Sequence, residues 1–211
     1  FLASIEDFQK KLWLKKKFVV SAHYCVTLDR VPEELYPAIA ANEAQWAQWQ
    51  DLGIRKNAKP GTVEDLKADP YLMVDTALFD EAFKADLLKA ISDVDASTDG
   101  LLIHGDNYQA LNLINARYRE SVKCVSIDPP SNTSSSAIPY KNTFKHSAWT
   151  TMLDNRLSRI SPLMPDDGAI FVSIDKHERT NLEQVLDLNF GADNHIEELI
   201  WSMNTNNSQA P

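Results

Sequence analysis

Leu101-Leu102-Ile103-His104-Gly105-Asp106, followed by Val122-Lys123-Cys124-Val125-Ser126-Ile127, is the stretch whose reading decides the fold. Both are short apolar runs, and the second is rich in the β-branched residues that fill buried strands. Between them Ala110, Leu111, Leu113, Ile114 and Tyr118 recur at helical spacing, and Asp106 is placed to cap that helix. Strand, helix and strand within residues 101–127 predict a βαβ unit with a right-handed crossover. The alternation continues downstream. A helix is expected near 147–161, a turn at Asp166-Asp167-Gly168, a strand over Ala169 to Ile174, a helix over 177–189 and a fourth strand from Ile196 to Trp201. That order argues an open, largely parallel α/β sheet.

Residues 1–98 have a different character and read as a mainly helical amino-terminal region. Ile5, Phe8 and Leu12 repeat at helical spacing, and Ser4 with Asp7 resembles a capping box. Residues 37–50 form a helical stretch with Trp46 and Trp49 on one face and an end near Gly53. From Thr76 to Ile91, Phe79, Ala82, Phe83, Leu87 and Ile91 make one amphipathic stripe. Residues 62–99 hold ten acids against three lysines, which reads as a solvated helical surface or a partner-binding face. Trp13, Trp46, Trp49, Trp149 and Trp201 read as core.

The composition of the 211 residues, 44% hydrophobic and 24% charged, is that of a globular chain able to build a core without disulfides or metals. A net charge of -9 gives no sign of the basic face that a nucleic-acid binder usually shows. Cys25 and Cys124 form no CxxC pair and fit a reducing, cytoplasmic location. No apolar run approaches the ~20 residues that span a bilayer. His23 and Cys25 make a lone HxC, so no metal site is expected, and neither GxSxG nor a phosphate-binding P-loop occurs. The absence of Met at position 1 and the polar end Asn204 to Pro211 read as the two cut ends of a fragment.

In open α/β sheets ligands bind outside the carboxyl ends of strands. Two loops answer to that place. In His104-Gly105-Asp106-Asn107, Gly105 permits a tight turn and Asp106 presents a carboxylate. In Asp128-Pro129-Pro130-Ser131-Asn132-Thr133, two prolines fix φ and remove two N–H donors, leaving their carbonyls as rigid acceptors beside the Asp128 charge. Such a set suits a substrate that donates hydrogen bonds, an exocyclic amino group for example. The prolines are equally able to do no more than end a strand.

Read in order, these stretches resemble the beta-class adenine methyltransferases of DNA, and more narrowly the modification subunits of type III restriction systems. The resemblance is carried by Leu102 to Asn107, Val125 to Pro130, Asn132-Thr133, Tyr140-Lys141-Asn142, Lys145 to Trp149 with Met152 and Arg156-Leu157, Asp167-Gly168 before Ile170 to Asp175, and Phe190-Gly191. Tyr24 to Leu35 extends it into the amino-terminal half. It implies a partial Rossmann-like methyltransferase sheet over residues 99–211 and S-adenosylmethionine as cofactor. Double-stranded DNA is the implied substrate, with a restriction subunit and a second copy as partners of the parent protein and no membrane.

By the same resemblance Asp128 and the Pro129 carbonyl accept hydrogen bonds from the amino group of a flipped adenine, with Pro130 and Ser131 completing the motif. An Asp at 128, where cytosine enzymes usually carry Ser and protein-amide enzymes Asn, points to adenine in nucleic acid. Gly105, Asp106 and Asn107 would lie by the cofactor, although Asp106 reads equally as a helix cap. Asn132, Thr133, Lys141, Lys145 and His146 would meet DNA.

Two departures stand out. The family's motif ends in an aromatic that stacks on the flipped base, and here that position is Ser131. The family's glycine-rich cofactor loop has no counterpart among the glycines at 53, 61, 100, 105, 168 and 191. Impaired or absent activity of this chain alone is therefore expected. The rival reading is a non-catalytic remnant or interaction module of a truncated modification subunit.

Overall fold

The computed structural model describes residues 19–56, 59–133 and 143–200. The expected helix through Ile5, Phe8 and Leu12, the residues Trp13, Tyr140, Lys141, Asn142 and Trp201, and the polar end lie outside them. The chain divides into two compact units that meet in sequence between Leu102 and Ile103.

The first unit contains β1 (Cys25–Thr27), α1 (Tyr36–Ala41), α2 (Glu43–Asp51), α3 (Val63–Lys67), β2 (Met73–Asp75) and α4 (Glu81–Ala90). β1 and β2 pair antiparallel, Val26 opposite Val74, so this region is not purely helical. Strands of three residues leave almost no period-2 pattern to read. The helix expected over 37–50 is two helices. Asn42 breaks it, because its side chain accepts the Gln45 N–H at 3.1 Å and caps α2. Trp46 and Trp49 are buried and meet edge to face at 5.1 Å. Their indole N–H groups donate to the carbonyls of Ala40 and Met73. Around them pack Leu28, Ile39, Leu66, Val74, Phe83 and Leu87, the last two from the stripe expected on α4.

The second unit contains α5 (Asn107–Ile114), β3 (Cys124–Ile127), α6 (His146–Ile160), β4 (Ala169–Val172) and α7 (Arg179–Phe190). β3 and β4 pair in parallel, Cys124 opposite Ala169 and Ile127 opposite Val172. They are joined through α6, which makes β3-α6-β4 the βαβ unit. Trp149, Leu153, Leu157 and Ile160 form the buried face of α6. Leu182 and Val185 of α7 join them, with Leu111, Val125, Ile127, Ile170 and Val172 packed alongside.

Two expected strands have no ladder among the described residues. Leu101 to His104 has no ladder, and Leu102 is 96% exposed. Residues 196–200 likewise lack a ladder, and Ile196, Leu199 and Ile200 are exposed. An apolar run becomes a strand only when a neighbour takes its backbone hydrogen bonds, and no described residue offers either run that edge. The second unit is thus α/β, with a sheet of two described strands.

Candidate functional site

Asp128 follows directly on β3, at the carboxyl end that the sequence singles out. The next five residues are held from several sides. Trp149, fully buried on α6, donates its indole N–H to the Pro130 carbonyl at 2.7 Å. That carbonyl is therefore engaged by the fold, which corrects the expectation of two free proline acceptors. The Asp128 carboxylate is exposed, and neither it nor the Pro129 carbonyl takes a hydrogen bond from a described residue. Ser131 is half-buried.

Asn132 adopts a left-handed backbone, φ +56°, a conformation asparagine tolerates better than most residues. Its side chain works as a piece of backbone. It accepts the Phe144 N–H at 2.6 Å and donates to the Phe144 carbonyl at 3.0 Å. The same amide donates to Glu178. Asn132 is thus a clamp on the chain just before α6. Thr133 follows, partly buried.

Glu178 stands at the amino end of α7 with no side-chain capping bond, and its side chain has no exposed surface. It takes a hydrogen bond from Asn181 at 2.6 Å and pairs with His146 Nδ1 at 2.8 Å. Burial pushes its carboxyl up, but Asn181, Asn132 and His146 together hold it below the usual glutamate value. The His146 side chain is 71% exposed, so its ring joins this buried group to solvent. Lys145, beside it, is exposed at the start of α6. Lys141 lies outside the described residues.

The other loop has its own anchor. Asp106 caps α5, accepting the Tyr108 N–H at 3.0 Å. Arg156 of α6 donates from Nε to Asn107 Oδ1 at 3.0 Å and lies 3.8 Å from Asp106 Oδ2. Arg159 donates to the Tyr108 hydroxyl at 3.4 Å, which lowers the phenol pKa. Gly105 has no left-handed φ, and a Cβ there would meet nothing within 4 Å, so its turn does not require glycine. Asp106 and Asn107 thus face Arg156. No hydrogen bond or ion pair joins the Asp106 loop to Asp128 among the described residues.

The sequence reading missed Glu178, Asn181 and Phe144, and also Asp175 and His177 beyond β4. The hydrogen bond from His177 holds the Asp175 carboxyl below its usual range. A sequence signal was present for Glu178, an acid in the loop after a strand. The helix expected over 177–189 takes it in, and only the fold turns it inward.

No described helix is long and apolar enough to cross a membrane, and no metal-holding group of three His, Cys, Asp or Glu occurs among the described residues. Residues 122–211 match a family described as DNA methylase. The chain is 35% identical to the probable type III restriction-modification enzyme HindVI Mod subunit of Haemophilus influenzae over 119 residues, 54% of this chain and 16% of that protein. It is 35% identical to the EcoP15I Mod subunit of Escherichia coli over 139 residues, 51% of this chain and 21% of that protein. The type II methyltransferase M.KpnI of Klebsiella pneumoniae is 30% identical over 126 residues, 56% of this chain and 30% of that protein. The chain spans from about a sixth to under a third of the length of these relatives.

Proposed function

We propose, from the match of residues 122–211 to the DNA methylase family, that this chain carries the target-base half of a DNA adenine methyltransferase of the type III modification kind. The observation that carries this reading is the unequal treatment of Asp128 to Asn132. Pro130 and Asn132 are anchored, while Asp128 and the Pro129 carbonyl stay open at the strand end. Two acceptors on a braced segment are what an exocyclic amino group needs. Its two N–H bonds point at Asp128 and Pro129, and its lone pair is turned away from them, toward an incoming methyl group. Methyl transfer to that lone pair by direct displacement relies chiefly on positioning.

The adenine reaches such a site only by leaving the duplex, which makes double-stranded DNA the substrate and base flipping the entry step. Lys145 and His146 stand exposed next to the segment and would meet phosphate. The family resemblance names S-adenosylmethionine as the methyl source. What this chain's own described residues would supply is the hold on the amino group, and Gly105, Asp106 and Asn107 are the residues proposed to lie by the cofactor. A restriction subunit and a second copy are the partners proposed for the parent protein, and two free cysteines fit a cytoplasmic setting. The domain division proposed remains 1–98 and 99–211.

A second reading is favoured by Ser131. Without an aromatic to stack on the base, the chain would act as a non-catalytic or weakly active interaction module. One experiment separates the two. The native, full-length protein is incubated with DNA and methyl-labelled S-adenosylmethionine, and the DNA is digested to nucleosides. The expected product is N6-methyladenine, lost in Asp128→Ala. Label on cytosine, or label that survives Asp128→Ala, overturns the first reading, and no label with DNA binding retained supports the second.

A further inference from the structure

We infer that Glu178 is a positioning residue whose buried carboxylate sets the path of the segment after Asp128 by gathering Asn132, His146 and Asn181. A carboxylate without exposed surface persists only where donors satisfy it, since an unpaired buried charge is strongly destabilising. The donors here come from three places in the chain. Asn132 lies in the segment after β3, His146 opens α6, and Asn181 belongs to the first turn of α7. No side-chain capping bond accounts for Glu178 at the start of α7. Oε1 is spent on Asn132 and His146, 46 and 32 positions away, and Oε2 on Asn181, three positions on.

The chain of contacts is continuous. Glu178 fixes the Asn132 amide, and Asn132 takes both backbone groups of Phe144. Phe144 leads into α6, whose Trp149 holds the Pro130 carbonyl. The two residues preceding that carbonyl are the open acceptors, Asp128 and Pro129. Glu178 touches neither, so it acts through Asn132 and not on substrate. The Nδ1 contact also sets the plane of the His146 ring, leaving Nε2 as the nitrogen not bonded to Glu178.

Glu178→Gln tests this with little change of volume. It replaces one oxygen by an NH2 that must face a donor from Asn132, His146 or Asn181. On the chain itself, hydrogen exchange at the Phe144 amide should accelerate about tenfold or more, and the Trp149 indole cross-peak should move. The Trp46 and Trp49 indoles should stay in place. An unchanged Phe144 amide and Trp149 indole overturn the inference. So does rapid exchange at Phe144 in the unaltered chain, a result that needs no variant to fold.

The bearing on catalysis rests on the methyltransferase reading and has a separate arm. In the full-length protein, Glu178→Gln should lower kcat for adenine methylation about ten- to hundredfold with the KM for DNA little changed. A kcat equal to the parent's overturns the positioning role in catalysis. Methyl transfer absent from every version overturns the methyltransferase reading, while the exchange and indole data still decide the role of Glu178.

Discussion

Trp149 Nε1 donates to the carbonyl of Pro130 at 2.7 Å, and this bond makes one of two adjacent proline carbonyls part of the fold. Seven residues further along α6, Arg156 donates to Asn107 at 3.0 Å. Seven residues are two helical turns, about 10 Å along the axis and nearly the same azimuth. One face of α6 therefore braces both loops that the sequence marks as candidate sites.

Trp149→Phe keeps most of the buried ring and removes the donor. The Pro130 carbonyl is then left without its partner beside a buried side chain, at a cost of about 1–3 kcal/mol. The expected outcome is a lower denaturation midpoint for the second unit with little change in the slope. A midpoint equal to the parent's would mean that the bond adds nothing to stability.

Ser131→Tyr should restore a stacking surface beside Asp128. Base–aromatic stacking is worth roughly 1–3 kcal/mol, so turnover or target-base binding in the full-length protein should rise by about one to two decades. Steady-state methylation of a duplex containing the target adenine, with and without the substitution, measures it directly. Unchanged turnover and unchanged binding would refute a stacking role for position 131.

The elements that the sequence places well are those with long or self-contained signals. The stripe Trp149, Leu153, Leu157 and Ile160 announces α6, and the run Val122 to Ile127 announces β3. The runs 101–104 and 196–200 lack a ladder among the described residues for a different reason. A strand is a property of two chains side by side, and hydropathy reports only one of them. Asn132 and Glu178 are illegible for a related reason. Apart from Asn181, three positions beyond Glu178, their partners lie 12 to 46 positions away, and no local period encodes a clamp.

Gly105→Ala should not destabilise the chain. The φ at this position is not left-handed and the Cβ meets open space, so the substitution only narrows the unfolded ensemble, by about 0.4–1 kcal/mol at best. Gly53→Ala, at φ +70°, should instead cost about 1–2 kcal/mol. Thermal unfolding of the two variants should move in opposite directions or leave Gly105→Ala unmoved. A marked loss at Gly105 would restore the tight-turn reading.

The depressed carboxyl of Glu178 has a definite consequence for acid stability. Its folded pKa lies below the ordinary value of 4.5, because Asn181, Asn132 and His146 outweigh the penalty of burial. A group of that sign contributes stability fully above its unfolded pKa, and the contribution fades as pH falls through the folded one. The stability of the parent chain should therefore hold from neutral pH to about pH 5 and decline below it. Glu178→Gln has no carboxyl to protonate, so its midpoint should be lower at neutral pH and fall less steeply in acid. Denaturant midpoints measured from pH 7 to pH 3 should converge for the two proteins. Parallel curves over that range would place the acid sensitivity elsewhere, Asp167 and Asp175 being the other carboxyls held low in this unit.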